Sequence, residues 1–220
     1  MSNFIEEIKA EVAQERWHNL WKQYRQYVLG AANAIVLLTG GHVWWQNHQK
    51  AVIAAQSNAY IQAAVLSETN TEAALKIFER IPSKGNTVYA TMARFWVANI
   101  LAEQGDNKGA ISLYKIIENN NGGIFASAKQ KSFAKAALFR RLYMEVDDAA
   151  EHVLSTVQAY TKEDNPWRHL AYELAALALI KLNRSAEAKP YLEKLVNDQD
   201  IAYNIKMRHQ LLLNYVNAAE

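Results

Sequence analysis

Cysteine is absent from the 220 residues. Disulfide scaffolds, thiolate metal sites and cysteine nucleophiles are excluded with it, and the redox compartment is left open. Proline occurs three times and glycine eight, too few for a sandwich or barrel that turns about every ten residues. That scarcity favours long helices. Neither sign of charge dominates: 24 Lys and Arg against 22 Asp and Glu leave +2, far from the balance of a dedicated nucleic-acid binder. Half of the chain is apolar and 21% is charged, which excludes wholesale disorder. The length suits one mid-sized domain, or one domain plus an appendage.

From Tyr27 to Trp45 the chain reads YVLGAANAIVLLTGGHVWW, 19 residues without a formal charge. As a helix this run is about 28 Å long, close to a hydrocarbon core of about 30 Å. Tyr24 and Tyr27 stand at one end and Trp44 and Trp45 at the other, where amphipathic rings prefer the interface. Asn33, Thr39, His42 and three glycines weaken the apolar signal. Arg16, Lys22 and Arg25 precede the run with no acid after Glu15, and only Lys50 follows within 25 residues. The positive-inside rule then keeps the N-terminus in the cytoplasm and sends the rest across, a signal anchor. A cleaved signal peptide is the rival reading, but Gly41-His42-Val43-Trp44-Trp45 offers no small residues at alternate positions for cleavage. A buried soluble helix is a third. Gly30 and Ala34, with Gly41 on nearly the same face, form a small-xxx-small edge for a second membrane helix, a spacing that also arises by chance. Before the run, Phe4, Ile5, Ile8, Val12, Trp17, Leu20, Trp21 and Tyr24 fall on an amphipathic stripe that suits the headgroup plane. The predicted divisions are thus 1–26 cytoplasmic, 27–45 anchor and 46–220 helical.

Residues 51–220 are nearly neutral, with 19 basic and 18 acidic residues. Turn and cap clusters break their helical pattern at Asn70-Thr71, Pro82 to Asn86, Gly105 to Asn107, Asn119 to Gly123, Asp147-Asp148, Asp164 to Pro166, Asn183 to Ser185 and Asn197 to Asp200. Ala110, Ala149 and Ala188 recur at intervals of 39, and Ala98, Ala137 and Ala176 stand twelve residues before each. Paired small residues let the two helices of a hairpin approach closely. A fourth copy ends at Ala74, with Phe78 placed as Tyr114 is.

The stretch ARFWVANILAEQGDNKGAISLYKIIE, Ala93 to Glu118, resembles the tetratricopeptide repeat family. Ala98 stands at the small position of the first helix, Gln104-Gly105-Asp106 at the turn, Ala110 at the small position of the second and Tyr114 at the aromatic beneath it. In the other copies Met144 and Asn183 take the place of the turn glycine, Val153 and Leu192 replace the aromatic, and Pro190 falls inside the last helix, predicting a late start or a bend. The period exceeds the usual one by about five residues, so long links between hairpins are expected. The layout of short start, anchor and cysteine-free repeats, with the stretch Trp44 to Gln49, resembles the bacterial YfgM-type family. That resemblance implies a periplasm-facing interaction domain beside the Sec translocon and its folding helpers. It also implies that the inner, concave face is lined by Met92, Phe95, Asn99 and Glu103, by Lys131, Leu138 and Arg141, and by Leu170, Glu173, Leu177 and Lys181. Several of these, Phe95, Leu138 and Leu177 among them, equally suit packing between hairpins. Trp96 and Trp167 are read as core.

Catalytic signatures are missing from the sequence. Gly122-Gly123, read as opening a helix, lacks the Lys-Ser/Thr of a phosphate loop. The six histidines form no i, i+4 pair, and no serine sits in a nucleophile elbow. His42, near the outer end of the anchor, suits headgroup water more than an intramembrane function. Asp147-Asp148 and Asp198/Asp200 are read as helix N-caps rather than catalytic pairs. Lys129, Lys131, Lys135, Arg140 and Arg141 form a basic run with no acid between Asn119 and Met144. It reads as a solvated face, with anionic headgroups, an acidic partner or nucleic acid as alternatives.

The expectation is therefore an all-α chain, one transmembrane helix followed by an α-solenoid of tetratricopeptide-like hairpins. It is expected to be no enzyme and to use no cofactor, metal, nucleic acid or small-molecule substrate. Its expected partners are proteins of the bacterial inner membrane and periplasm; a structural scaffold for cell division or outer-membrane assembly is the alternative. Oligomeric state does not follow from the sequence.

Overall fold

The computed structural model describes residues 2–81 and 87–218, with side chains described at 17, 18 and 21–81 of the first stretch. The cluster Pro82 to Asn86 lies outside these residues, as do the side chains of Phe4, Ile5, Ile8, Val12 and Leu20. All described elements are helical: α1 Ser2–Ser67, α2 Thr71–Arg80, α3 Val88–Glu103, α4 Asn107–Asn121, α5 Ala128–Glu145, α6 Ala150–Val157, a 3-10 turn Gln158–Tyr160, α7 Arg168–Lys181, α8 Ser185–Asn197 and α9 Tyr203–Ala218. The chain divides into two compact units, Met1–Ala55 and Gln56–Glu220.

In the first unit α1 is uninterrupted, and its apolar run is exposed at Tyr27, Leu29, Ile35 to Leu38 and Trp44-Trp45. The two polar residues in its middle turn their hydrogen bonds inward. Asn33 Nδ2 donates to the Leu29 carbonyl at 3.0 Å and Thr39 Oγ1 to that of Ile35 at 2.7 Å. This back-bonding lowers the cost of placing both groups in hydrocarbon. Among the described residues, one helix stretch, beginning at Trp21, is long and apolar enough to cross a membrane.

In the second unit the helices start where the sequence supplies caps. Asn70, Thr87 and Asp106 accept from the backbone N–H three residues on, and Ser127 with Gln130 forms a complete capping box. The last turn of α4 closes at Gly122, where a Cβ would lie 2.8 Å from the Glu118 carbonyl oxygen. Gly122-Gly123 therefore ends a helix instead of opening one, and α5 begins six residues later. Links within hairpins are short, 104–106, 146–149 and 182–184, whereas 122–127 and 158–167 join one hairpin to the next. The surplus of the 39-residue period resides in those links.

Gly105 (φ 84°) and Asn183 (φ 58°) occupy the left-handed region in the two three-residue turns. Glycine and asparagine tolerate that conformation best. The middle hairpin departs from this scheme. Met144 lies inside α5 rather than in the turn, and Ala149 is the uncapped N-terminal boundary of α6. Counted from the boundary residues Asp106, Ala149 and Arg184, the counterpart of Ala110 and Ala188 is Val153, four residues into its helix. In this hairpin α5 lies against α4 and α6 against α7, while α5 and α6 approach each other little. Pro190 neither delays nor ends α8, which runs unbroken from Ser185 to Asn197.

The core is three clusters in series. Ala63, Ala74, Phe78, Ile81, Ala90, Ala93 and Val97 form the first, and Ala98, Ala110, Tyr114, Ile117 and Ala137 the second. The third, and largest, runs from Phe139 through α7 to Val216. Trp96 and Trp167 are half-buried and stack on the buried rings of Phe78 and Phe139, with centroids 5.1 and 5.5 Å apart. Gln56 braces the first cluster, donating to the Ile81 carbonyl at 3.0 Å and accepting from the Thr87 hydroxyl.

Candidate interaction face

The first helices of successive hairpins, α3, α5 and α7, stand in a row, with α9 beyond them. Phe95 on α3 lies 6.3 Å from the ring of Phe133 on α5, and Arg140 Nη1 on α5 donates to Asn99 Oδ1 on α3 at 3.2 Å. Glu173 on α7 meets Arg208 on α9 at 2.6 Å and stands beside Tyr143 on α5.

These contacts sort the eleven positions assigned to the inner face. Glu103, Lys131 and Lys181 are exposed, and Met92, Phe95, Asn99, Leu138, Leu170 and Leu177 are half-buried. Phe95 packs against the second core cluster, and Leu138 and Leu170 against the third. Asn99 accepts from Tyr114 Oη at 2.7 Å as well as from Arg140. Lys181 donates to Asp147 at 2.9 Å. Arg141 and Glu173 are buried in ion pairs between helices, Arg141 with Glu118 and Glu173 with Arg208, and Arg141 also pairs with Glu145 one turn on along α5. A face left to a ligand is thus patchy: apolar edges from Met92, Phe95, Leu138 and Leu177, with charge at Glu103 and Lys131. Lys131 and Leu138 also line an open cleft with Glu118, Gly122, Ala134 and Lys135.

The basic run likewise resolves into unequal parts. Lys135 donates to the Tyr160 hydroxyl and lies over its ring, Arg140 is held by Asn99, and Arg141 is buried. Lys129 and Lys131 stay exposed. The acidic pairs are not helix N-caps. Asp147 pairs with Lys181, while Asp198 closes the end of α8, taking His169 Nε2 at 2.7 Å and Arg168 at 3.4 Å. The Asp200 backbone N–H, then His169 and Arg168, hold the Asp198 carboxyl below its usual range. No local spacing signals this cluster, because the fold brings its members together from 29 and 30 positions away. Tyr143 is pushed above the ordinary tyrosine range by burial and by the neighbouring Glu173 carboxylate. His209 is fully buried beside Glu173, with Nε2 3.3 Å from Oε2, and among the described residues its ring nitrogens have no hydrogen-bond partner. No group of three or more potential ligand side chains capable of holding a metal occurs among the described residues.

A family model described as a tetratricopeptide repeat-like domain matches residues 18–201. The chain belongs to that family. The matched region takes in the whole apolar run as well as α2 to α8. No curated protein and no solved structure matches the chain. Tetratricopeptide-like domains generally mediate protein–protein contact and typically act as non-catalytic scaffolds.

Proposed function

We propose that this protein is a membrane-anchored interaction module of the YfgM type. In this reading residues 27–45 cross the bacterial inner membrane once, with residues 1–26 in the cytoplasm and the repeats in the periplasm. The repeats bind the Sec translocon, periplasmic chaperones, or both, and assist the handling of exported proteins. The observation that carries the reading is the row α3, α5, α7 with its half-exposed Met92, Phe95, Leu138 and Leu177 beside the exposed Glu103 and Lys131. Alternating apolar and charged positions suit an extended peptide or an amphipathic helix of another protein. Tethering adds to a weak contact by raising the local concentration of the binder, without any new contact. Gly30, Ala34 and Gly41 are open on α1, with no neighbour near the added Cβ at either glycine. They supply a smooth edge for a membrane helix of the same assembly.

Photo-crosslinkers placed singly at Met92, Asn99 and Leu177 in cells test the binding face, with Glu193 on α8 as the control. Adducts to translocon or chaperone subunits at the first three positions and not at Glu193 are expected. Adducts equal at all four, or adducts only to division or outer-membrane assembly proteins, overturn the reading. Protease added to spheroplasts tests topology separately: digestion beyond residue 45 is expected, and protection contradicts it.

A further inference from the structure

The link 122–127 between α4 and α5 carries two side chains that belong to no core cluster. Ile124 is 85% exposed and Phe125 96%, the highest values among the described large apolar residues. Holding both in water forgoes the gain from burying them. Their electrostatic setting is one-sided. No acid occurs from Asn119 to Met144, and the nearest one, Glu118, is turned into Arg141. Lys129 and Lys131, the second and fourth residues of α5, are both exposed, and neither forms an ion pair among the described residues.

We propose that this link is a second membrane contact, in which Ile124 and Phe125 enter the headgroup layer of an anionic bilayer while Lys129 and Lys131 meet lipid phosphates. Two protruding side chains at a loop tip cover far less than the ~800 Å² per partner of a standard protein interface. A lipid surface needs no matching groove: large apolar side chains reach the acyl boundary, and lysines beside them are attracted to negative headgroups. The acid-free stretch supplies the charge complementarity that favours lipid over a protein surface. This contact stands apart from the reading of residues 27–45, and its test reads the two separately.

The absence of cysteine permits a single label. Gly123 has open space around an added Cβ and no left-handed φ, so the full chain with Gly123→Cys, carrying an environment-sensitive fluorophore, is mixed with phosphatidylcholine vesicles containing or lacking phosphatidylglycerol. Flotation reports whether the chain is membrane-bound at all; the fluorophore reports the link. In phosphatidylglycerol vesicles a blue shift, quenching by brominated acyl chains and protection from iodide are expected. All three should vanish in Ile124→Ser/Phe125→Ser. Each of Lys129→Gln and Lys131→Gln should weaken insertion of the link, read as the ratio of buried to free fluorophore, about fivefold. A label that stays open to iodide while the chain floats overturns the proposal. So does a response equal in neutral vesicles, or one that appears only when a protein partner is added.

Discussion

The carboxylate of Glu118 on α4 receives the Arg141 guanidinium in a fork, Nε to Oε1 at 2.7 Å and Nη2 to Oε2 at 3.1 Å. Arg141 also donates Nη1 to Glu145 at 2.5 Å, and its affinity for the proton is raised chiefly by the bonds to Glu118. The pair crosses from one hairpin to the next and is largely shielded from water. Removing one partner leaves the other buried and less compensated. Glu118→Ala is expected to lower stability by about 1.5–3 kcal/mol, and Arg141→Met by a similar amount. The double variant should lose less than the sum. Denaturant melts of the four proteins, followed by helical circular dichroism, measure the coupling; strict additivity would refute the pairing.

The three alanines spaced by 39 residues should respond differently to enlargement. Ala110 and Ala188 are fully buried, where a leucine forces the paired helices apart at about 1–3 kcal/mol. Ala149 is a half-buried boundary residue outside α6, and Ala149→Leu should stay within about 0.5 kcal/mol of the parent. Thermal melts of the three single variants check this. A large loss at position 149 would restore the simple repeat register.

Asp198 links acid stability to the junction of α7 and α8. Its folded pKa is lowered, so the folded chain keeps the charge where an unfolded aspartate, near about 3.9, takes up a proton. The contribution is present above that value and lost as pH falls through the folded one. Asp198→Asn should cost about 1 kcal/mol at neutral pH and converge with the parent in strong acid. A gap between the two melting curves that fails to narrow as pH falls below about 3.9 would count against the assignment.

Tyr143 governs the opposite end of the scale. Burial and Glu173 raise its pKa, so the folded chain holds the phenolic proton after an unfolded tyrosine, at about 10, has begun to lose it. Stability therefore falls as pH rises past about 10. Tyr143→Phe should be weaker by about 1 kcal/mol at neutral pH yet decline less steeply in alkali. Parallel melting curves from pH 8 to about 12 would rule out this role.

Much of the architecture is legible in the sequence because it is local. The charge-free run from Tyr27 to Trp45, the cap at Asp106 and the turn at Gly105 each announce themselves within a few residues. Asn183 also reads correctly as a glycine substitute, since its φ of 58° suits asparagine. The middle hairpin misleads because arithmetic on alanines assumes equal helix lengths, and α5 continues past the point where the turn was expected. Asp147 and Asp198 mislead for another reason. Their partners, Lys181 and His169, come from distant helices, and a cap and an ion pair draw on the same residue types. Arg141 shows the same limit: its place on the first helix of a hairpin is readable, but its capture by Glu118 appears only once α4 and α5 are packed together.

Because the buried apolar residues fall into three successive clusters rather than one, the folded unit behaves as a short row of dominoes, each leaning on its neighbour. Opening can start at the end near α2 and halt before α7, whose backbone amides should be the last to exchange with deuterated solvent. Cooperativity in such a chain is graded, and one melting temperature describes its strongest block rather than the whole.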